Sequence, residues 1–141
     1  MPKIVLYTDG GARNNPGPAG CGWVMYEGDP SDSGRPLTKS KKYIGEQTNN
    51  FAEYEAVVLA LTEAKKRGFA KREIEVRLDS ELIAKQMSGD YQVKEETLWP
   101  QYMKVHNLLV ANFPQHTFVH VRREQNKEAD ALVNEAIDRG R

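Results

Sequence analysis

The chain predicts an α/β fold built on a five-stranded mixed sheet, an antiparallel meander plus two parallel strands, flanked by helices. Three observations predict it. The N-terminal third runs from strand to strand, broken only by turns rich in Gly, Pro and Asn. The remainder alternates strand periodicity with helical periodicity, which adds the later strands to the meander as parallel neighbours through right-handed crossovers. The 141 residues, 39% hydrophobic and 28% charged, suit one domain over residues 1–141 with one core.

The elements follow in order. Lys3–Thr8 is β-branched and aromatic and predicts the first strand. Asn14-Asn15-Pro16-Gly17-Pro18-Ala19-Gly20 is a dense turn signal. Cys21–Glu27 predicts a second strand centred on Trp23 and Val24, Gly28–Pro36 a loop, and Leu37–Gly45 a third strand polar enough for a sheet edge. A helix is expected over Asn50–Arg67, because Ala52, Ala56, Val57, Ala60, Leu61 and Ala64 recur at helical spacing. Asn50 suits its N-cap and Gly68 its C′ position. In Glu73–Leu78, Ile74, Val76 and Leu78 alternate with charged residues, the period of a strand. Ser80–Met87 predicts a short helix, and Leu98–Asn112 a longer one with Trp99-Pro100 in its first turn. Thr117–Val121 predicts the last strand and Asn126–Arg139 the last helix, with Ala129, Leu132, Val133, Ala136 and Ile137 on one stripe. No internal repeat, linker or low-complexity segment is visible.

Composition excludes several classes. No apolar run is long enough to span a bilayer, and Met1-Pro2-Lys3-Ile4 lacks the apolar core of a signal peptide. Cys21 is the single cysteine, so no disulfide framework exists and a cytoplasmic location is expected. With His106, His116 and His120 it cannot build a typical structural zinc site. Twenty basic residues balance twenty acidic ones, which argues against a large, purely electrostatic nucleic-acid surface.

Four carboxylates stand at ends of predicted elements: Asp9 and Asp79 after strands, Glu53 and Asp130 at helix starts. Each has an ordinary structural explanation. Asp9 precedes Gly10 as a turn aspartate does, and Glu53 can close a capping box with Asn50. Asp79 can cap the helix that follows, although Ser80 can do so itself. Asp130 can simply complement a helix dipole. Their common location is more informative, because functional groups of open α/β sheets gather at strand carboxyl ends and the helix starts that follow them. Glu53 also heads the apolar stripe of its helix, facing the sheet. Four carboxylates brought together raise each other's pKa values. A hard divalent cation relieves this, and oxygen-only ligands favour Mg²⁺ or Mn²⁺. Two such ions about 4 Å apart form a clamp for in-line displacement at phosphorus.

Five fragments in order, Thr8-Asp9-Gly10-Gly11, Asn15 to Gly20, Thr48-Asn49-Asn50-x-x-Glu53, Asp79-Ser80 and Asn126-x-x-Ala129-Asp130, resemble type 1 ribonuclease H over nearly the whole chain. The resemblance implies the ribonuclease H-like fold and endonucleolytic cleavage of the RNA strand of an RNA–DNA hybrid, leaving 5′-phosphate and 3′-hydroxyl ends. It implies two Mg²⁺ or Mn²⁺ ions held by Asp9, Glu53, Asp79 and Asp130. Asp9 would bridge them, Asp130 would serve the attacking-water side, and Glu53 and Asp79 the leaving-group side. It further implies hybrid contacts by Asn15, Asn49 and Asn50, a DNA-strand phosphate contact by Thr48, and packing of Trp99 on the DNA strand. Turn and cap chemistry can equally account for the asparagines, and core packing for Trp99.

The chain departs from the best-known bacterial members in three places. The loop Val121-Arg122-Arg123-Glu124-Gln125-Asn126 is short and lacks their histidine, and Arg123 or Glu124 is the expected substitute. His120 lies inside the last strand as a packed or edge residue. Gly89–Trp99 carries only Lys94 where those members have a basic grip, so substrate affinity is expected to be lower unless Arg13, Lys39, Lys41 or Lys42 compensate. Those lysines can equally form a solvated edge face. Glu81 stands where many relatives have glutamine. These departures resemble a shorter subfamily, some of whose members process RNA substrates other than hybrids, so another duplex such as double-stranded RNA is the alternative substrate for this chain. The sequence is also compatible with a catalytically weak nucleic-acid-binding module, or with an integrase- or resolvase-type nuclease of the same fold. The expected partner is the hybrid, for a monomer with no membrane association and no obligate protein partner.

Overall fold

The computed structural model describes residues 1–30 and 34–140. The strands are β1 (Ile4–Ala12), β2 (Gly17–Glu27), β3 (Thr38–Gln47), β4 (Ile74–Leu78) and β5 (His116–His120). The helices are α1 (Asn49–Lys66), α2 (Glu81–Met87), α3 (Trp99–Asn112) and α4 (Lys127–Arg139), with single 3₁₀ turns at Glu96–Leu98 and Arg123–Gln125. Part of the expected Gly28–Pro36 loop, residues 31–33, lies outside the described residues. The sheet order is β3-β2-β1-β4-β5. β1–β2 and β2–β3 are antiparallel, and β1–β4 and β4–β5 are parallel. This is the expected meander with two parallel strands. Among the described residues no helix is long and apolar enough to cross a membrane.

The helices cover both faces. On one face, Ile4, Leu6, Met25, Val76 and Leu78 pack with Val57 and Leu61 of α1 and Val105 and Leu109 of α3. The predicted stripe of α1 is buried in full, and each large aliphatic side chain so buried contributes roughly 2 kcal/mol. On the other face, Val5, Val24 and Tyr26 pack with Tyr7 and with Leu132 of α4.

β1 and β2 run further than expected, into the predicted turn, pairing Gly10 with Cys21, Gly11 with Gly20 and Ala12 with Ala19. Small residues are poor strand formers alone, but here they let helices approach the sheet. A Cβ on Gly10 would collide with the carbonyl oxygen of Ala52 in α1, and one on Gly22 would lie 2.5 Å from that of Ala129 in α4. Gly22 is the cross-strand partner of Asp9. These two glycines therefore seat the residues preceding Glu53 and Asp130 against the sheet beside Asp9.

Two local expectations change. The N-cap of α1 is Thr48, whose Oγ1 accepts from the Phe51 N–H at 3.1 Å, and Asn50 lies inside the helix. Glu53 then falls beyond N3 and cannot close a capping box, so that explanation is removed. Ser80 does cap α2, accepting from the Ile83 N–H at 3.3 Å, which leaves Asp79 free of capping. On β3, Lys39 pairs with Glu128 at 3.0 Å and Lys41 with Glu135 at 3.3 Å. Both lysines tie the sheet edge to α4.

Candidate active site

β1 pairs with β4 only as far as Tyr7 and Arg77. Beyond that point β1 continues against β2 alone while β4 ends, and the chain's crossover connections leave a crevice there. Asp9, 7% exposed, sits on β1 in this crevice rather than at the strand's end. Asp79 follows the last residue of β4, and Glu53 projects from the second turn of α1. These three each bring one carboxylate oxygen within 4.8 Å of the others. Asp130, exposed on the first turn of α4, lines the same cleft of about 290 Å³ together with Arg13, Asn49, Arg123 and Asn134. All four predicted carboxylates are thus in one place, three as a tight cluster and Asp130 at the rim.

The electrostatics are unfavourable for anions alone. Burial, then the charges of Asp79 and Asp130, push Asp9 up to about 8, although the Gly10 N–H donates to its Oδ1 at 3.0 Å. Burial, then Asp9 and Asp79, push Glu53 well above the usual carboxylate range, against a smaller opposing pull from Arg123. Burial raises Asp79 as well, with Arg123 again opposing. Glu53 Oε2 is buried with no hydrogen-bond partner among the described residues. A buried carboxylate oxygen left unpaired is costly, and a cation is the partner that satisfies it without adding a donor. The donor set is all oxygen and anionic, which fits a hard divalent ion.

The remaining predicted residues surround this cluster. Asn15 Oδ1 accepts from the Asn49 N–H at 2.9 Å, and Asn49 Oδ1 accepts from the Ala12 N–H at 2.7 Å. The two asparagines therefore lock the β1–β2 turn onto the start of α1. Asn50 lines a separate hollow with Leu82, Tyr91 and Lys94. Trp99 is not a core residue: it is half exposed, and its Nε1 donates to the Val93 carbonyl at 2.9 Å. Arg123 holds its guanidinium 3.9 Å from Asp79 Oδ2, with 87% of the side chain exposed. His120 ends β5 on the sheet edge, with Nδ1 3.8 Å from Glu81 Oε2. Arg13 reaches Asp138 at 2.7 Å and Asn134 at 3.4 Å, forming one wall of the cleft.

Two residues of this neighbourhood were given no role in the site from sequence, although Asn126 heads the fragment that ends at Asp130. Asn134 stands four residues beyond Asp130, the helical spacing that places both on one face, so periodicity could have found it. Asn126 reads as an ordinary N-cap, yet its Nδ2 donates to the Thr8 carbonyl at 2.9 Å in the interior.

A sheet of this order, with an acidic cleft where β1 and β4 part, defines a domain of ribonuclease H-like architecture. A family model described as "Reverse transcriptase-like" matches residues 7–136. The chain is 50% identical to LC11-RNase H1, solved in complex with RNA/DNA hybrid; the match covers 97% of this chain and 98% of that one, with a TM-score of 0.90. It is 40% identical to a ribonuclease HI of Halobacterium salinarum, over 96% of this chain and 65% of that protein. It is also 40% identical to a bifunctional protein of Mycobacterium tuberculosis, over 96% of this chain and 36% of that protein. The chain therefore spans about two thirds or less of these two relatives. It belongs to the reverse-transcriptase-like family, in its type 1 ribonuclease H branch. Ribonucleases H of this family depend on a divalent metal, and this chain carries a carboxylate cluster that could hold one.

Proposed function

We propose that this chain is a ribonuclease H that hydrolyses the RNA strand of RNA–DNA hybrids, leaving 5′-phosphate and 3′-hydroxyl ends. The observation that carries the reading is the convergence of Asp9, Glu53 and Asp79 within 4.8 Å, with a buried and unpaired Glu53 oxygen, in a chain of this family. Asp9, Glu53, Asp79 and Asp130 would hold two Mg²⁺ or Mn²⁺ ions, with Asp9 common to both, Asp130 on the attacking-water side, and Glu53 and Asp79 on the leaving-group side. When bound, such a pair supplies Lewis-acid stabilisation of charge developing at phosphorus and a more acidic water.

The protein's own groups supply position and selectivity. With their Oδ1 atoms engaged, Asn15 and Asn49 keep their Nδ2 donors for the substrate, which suits reading the acceptor character of a 2′-hydroxyl. Asn50, next to Asn49 in the chain, would meet the hybrid from the separate hollow it lines. Thr48 Oγ1 accepts from the helix but still carries a proton to donate to a DNA-strand phosphate. The exposed ring of Trp99 offers a face for the DNA strand. Arg123 takes part of the role of the missing histidine. A guanidinium does not deprotonate, so it holds phosphate and stabilises charge rather than moving a proton. The location is cytoplasmic and the chain acts as a monomer.

Labelled RNA–DNA, RNA–RNA and DNA–DNA duplexes, each with Mg²⁺ or Mn²⁺, test this reading beside Asp79→Asn. The hybrid is cut in its RNA strand, Asp79→Asn is inactive, and Arg123→Ala turns over more slowly at saturating hybrid. Equal activity of Asp79→Asn overturns the metal-site assignment, cleavage of DNA–DNA alone overturns the substrate, and preference for RNA–RNA moves it to double-stranded RNA. Unchanged turnover of Arg123→Ala removes that residue's role.

A further inference from the structure

Asn126 occupies the N-cap of α4, a position at which an asparagine side chain ordinarily accepts a hydrogen bond from the helix's first amides. Here it makes no such bond. The side chain is 1% exposed and turns into the sheet, where Nδ2 donates to the Thr8 carbonyl at 2.9 Å. That choice leaves Oδ1 buried without a partner among the described residues. A residue that gives up its cap and strands an acceptor to reach one carbonyl is costly to the helix it begins. The compensation is positional. Thr8 precedes Asp9, and the Asn126 carbonyl accepts the Asp130 N–H at 3.0 Å. The Asn126 N–H donates to the Arg123 carbonyl at 2.9 Å. One side chain and its own peptide groups therefore join the backbone of β1 at Asp9, the helix turn bearing Asp130, and the 3₁₀ turn bearing Arg123.

We infer that Asn126 is a positioning residue that sets the separation of Asp9 and Asp130, through its amide clamp on Thr8. The inference rests on the reading of the cleft as a metal-dependent nuclease site. Each of the four acids has its own anchor to the sheet. Asp9 and Asp79 are fixed by β1 and β4, and Glu53 is fixed by the close seat of α1 on Gly10. Asp130 is exposed at the rim, on a helix that Gly22 seats against β2 through Ala129, and the Asn126 amide is the side-chain hydrogen bond that ties the start of that helix to β1.

Asn126→Ser tests it, because serine remains a favourable N-cap but is too short to reach Thr8. Asn126→Ala removes both functions and reports the cost to folding. The expected result for Asn126→Ser is a fold and melting temperature close to those of the parent. Its kcat falls about tenfold or more with KM for hybrid unchanged, and Mn²⁺ titrated alone by calorimetry binds several-fold more weakly. In the Asp130→Asn background the same substitution adds little further loss, since the group it positions is already disabled. Full additivity there, or unchanged Mn²⁺ binding and kcat in Asn126→Ser, overturns the inference. If Asn126→Ser fails to fold, the clamp is structural and the inference falls with it. Inactivity of the parent chain on every duplex would instead overturn the underlying reading of the cleft.

Discussion

At the scale of single residues, the site sacrifices stability for function. Asp9 holds its proton up to about 8 in the folded chain because burial, then Asp79 and Asp130, oppose ionisation, whereas an unfolded aspartate releases it near the ordinary value of 3.8. Between those values the folded state binds more protons than the unfolded one, so this group's contribution to stability falls as pH rises. Asn replaces the neutral acid with the same shape and keeps an oxygen for the Gly10 N–H. Metal-free Asp9→Asn is therefore expected to match the parent near pH 4 and to exceed it progressively towards pH 8, by on the order of a few kcal/mol. Urea unfolding of both proteins across that range measures it; a difference independent of pH would refute it. The residue types were legible in the sequence, because acids beside Gly, Asn and Ser at element ends stand out. Burial was legible in part, from the apolar stripe that Glu53 heads, but its depth at each acid was not, and depth decides the chemistry. The same limit explains the cap of α1. Thr48, Asn49 and Asn50 are all good N-caps, and local preference cannot rank them. The choice is tertiary: Asn49 is drawn to the Ala12 N–H and its own N–H to Asn15, which leaves Thr48 to cap.

At the scale of elements, placement of the acids depends on how closely two helices meet the sheet. Turn residues predicted a loop where β1 and β2 in fact continue, because a propensity for turns says nothing about a helix arriving to cover the strand. Gly22 makes the point testable. A methyl group there meets the Ala129 carbonyl at 2.5 Å and Leu132 Cβ at 2.7 Å, both rigid parts of α4. Gly22→Ala must lift the helix start, moving Asp130 away from Asp9, the residue directly across the strand pair. Overpacking of this kind costs about 1–3 kcal/mol. The expected outcome is a folded, less stable protein whose activity falls by more than its folded fraction does. Activity that follows the folded fraction alone, measured by circular dichroism beside hybrid cleavage, would show that the spacing of α4 does not matter. Periodicity served well for α1, whose six predicted stripe residues are all buried. The charge run on β3 reads as a solvated face, and Lys39 and Lys42 are indeed exposed, but Lys39 and Lys41 also pair with acids of α4.

At the scale of the molecule, the antiparallel meander and the parallel addition of the later strands were legible because alternation of periodicities and the right-handed crossover leave few topologies. Convergence of the acids follows from that topology, since the two strands carrying Asp9 and Asp79 are parallel neighbours and both helix starts face the same end. The consequence is a domain whose stability is coupled to cation binding. Without a cation, Asp9, Glu53 and Asp79 keep raised pKa values, and Glu53 keeps a buried oxygen unpaired among the described residues. A cation that binds only the folded chain stabilises it by mass action, about 2.7 kcal/mol at one hundred times its dissociation constant. For a chain of this length, that corresponds to a rise in melting temperature of roughly 5–10 °C. Mg²⁺ or Mn²⁺ should therefore raise the melting temperature of the parent in a concentration-dependent way. Asp79→Asn starts from a less strained cleft, so its metal-free form should melt at or above the parent's temperature and respond little to either ion. Scanning calorimetry with each ion, and with chelator as control, distinguishes this from general salt screening, which would shift both proteins alike. Equal shifts for parent and Asp79→Asn would mean that the acidic cluster is not where the cation acts.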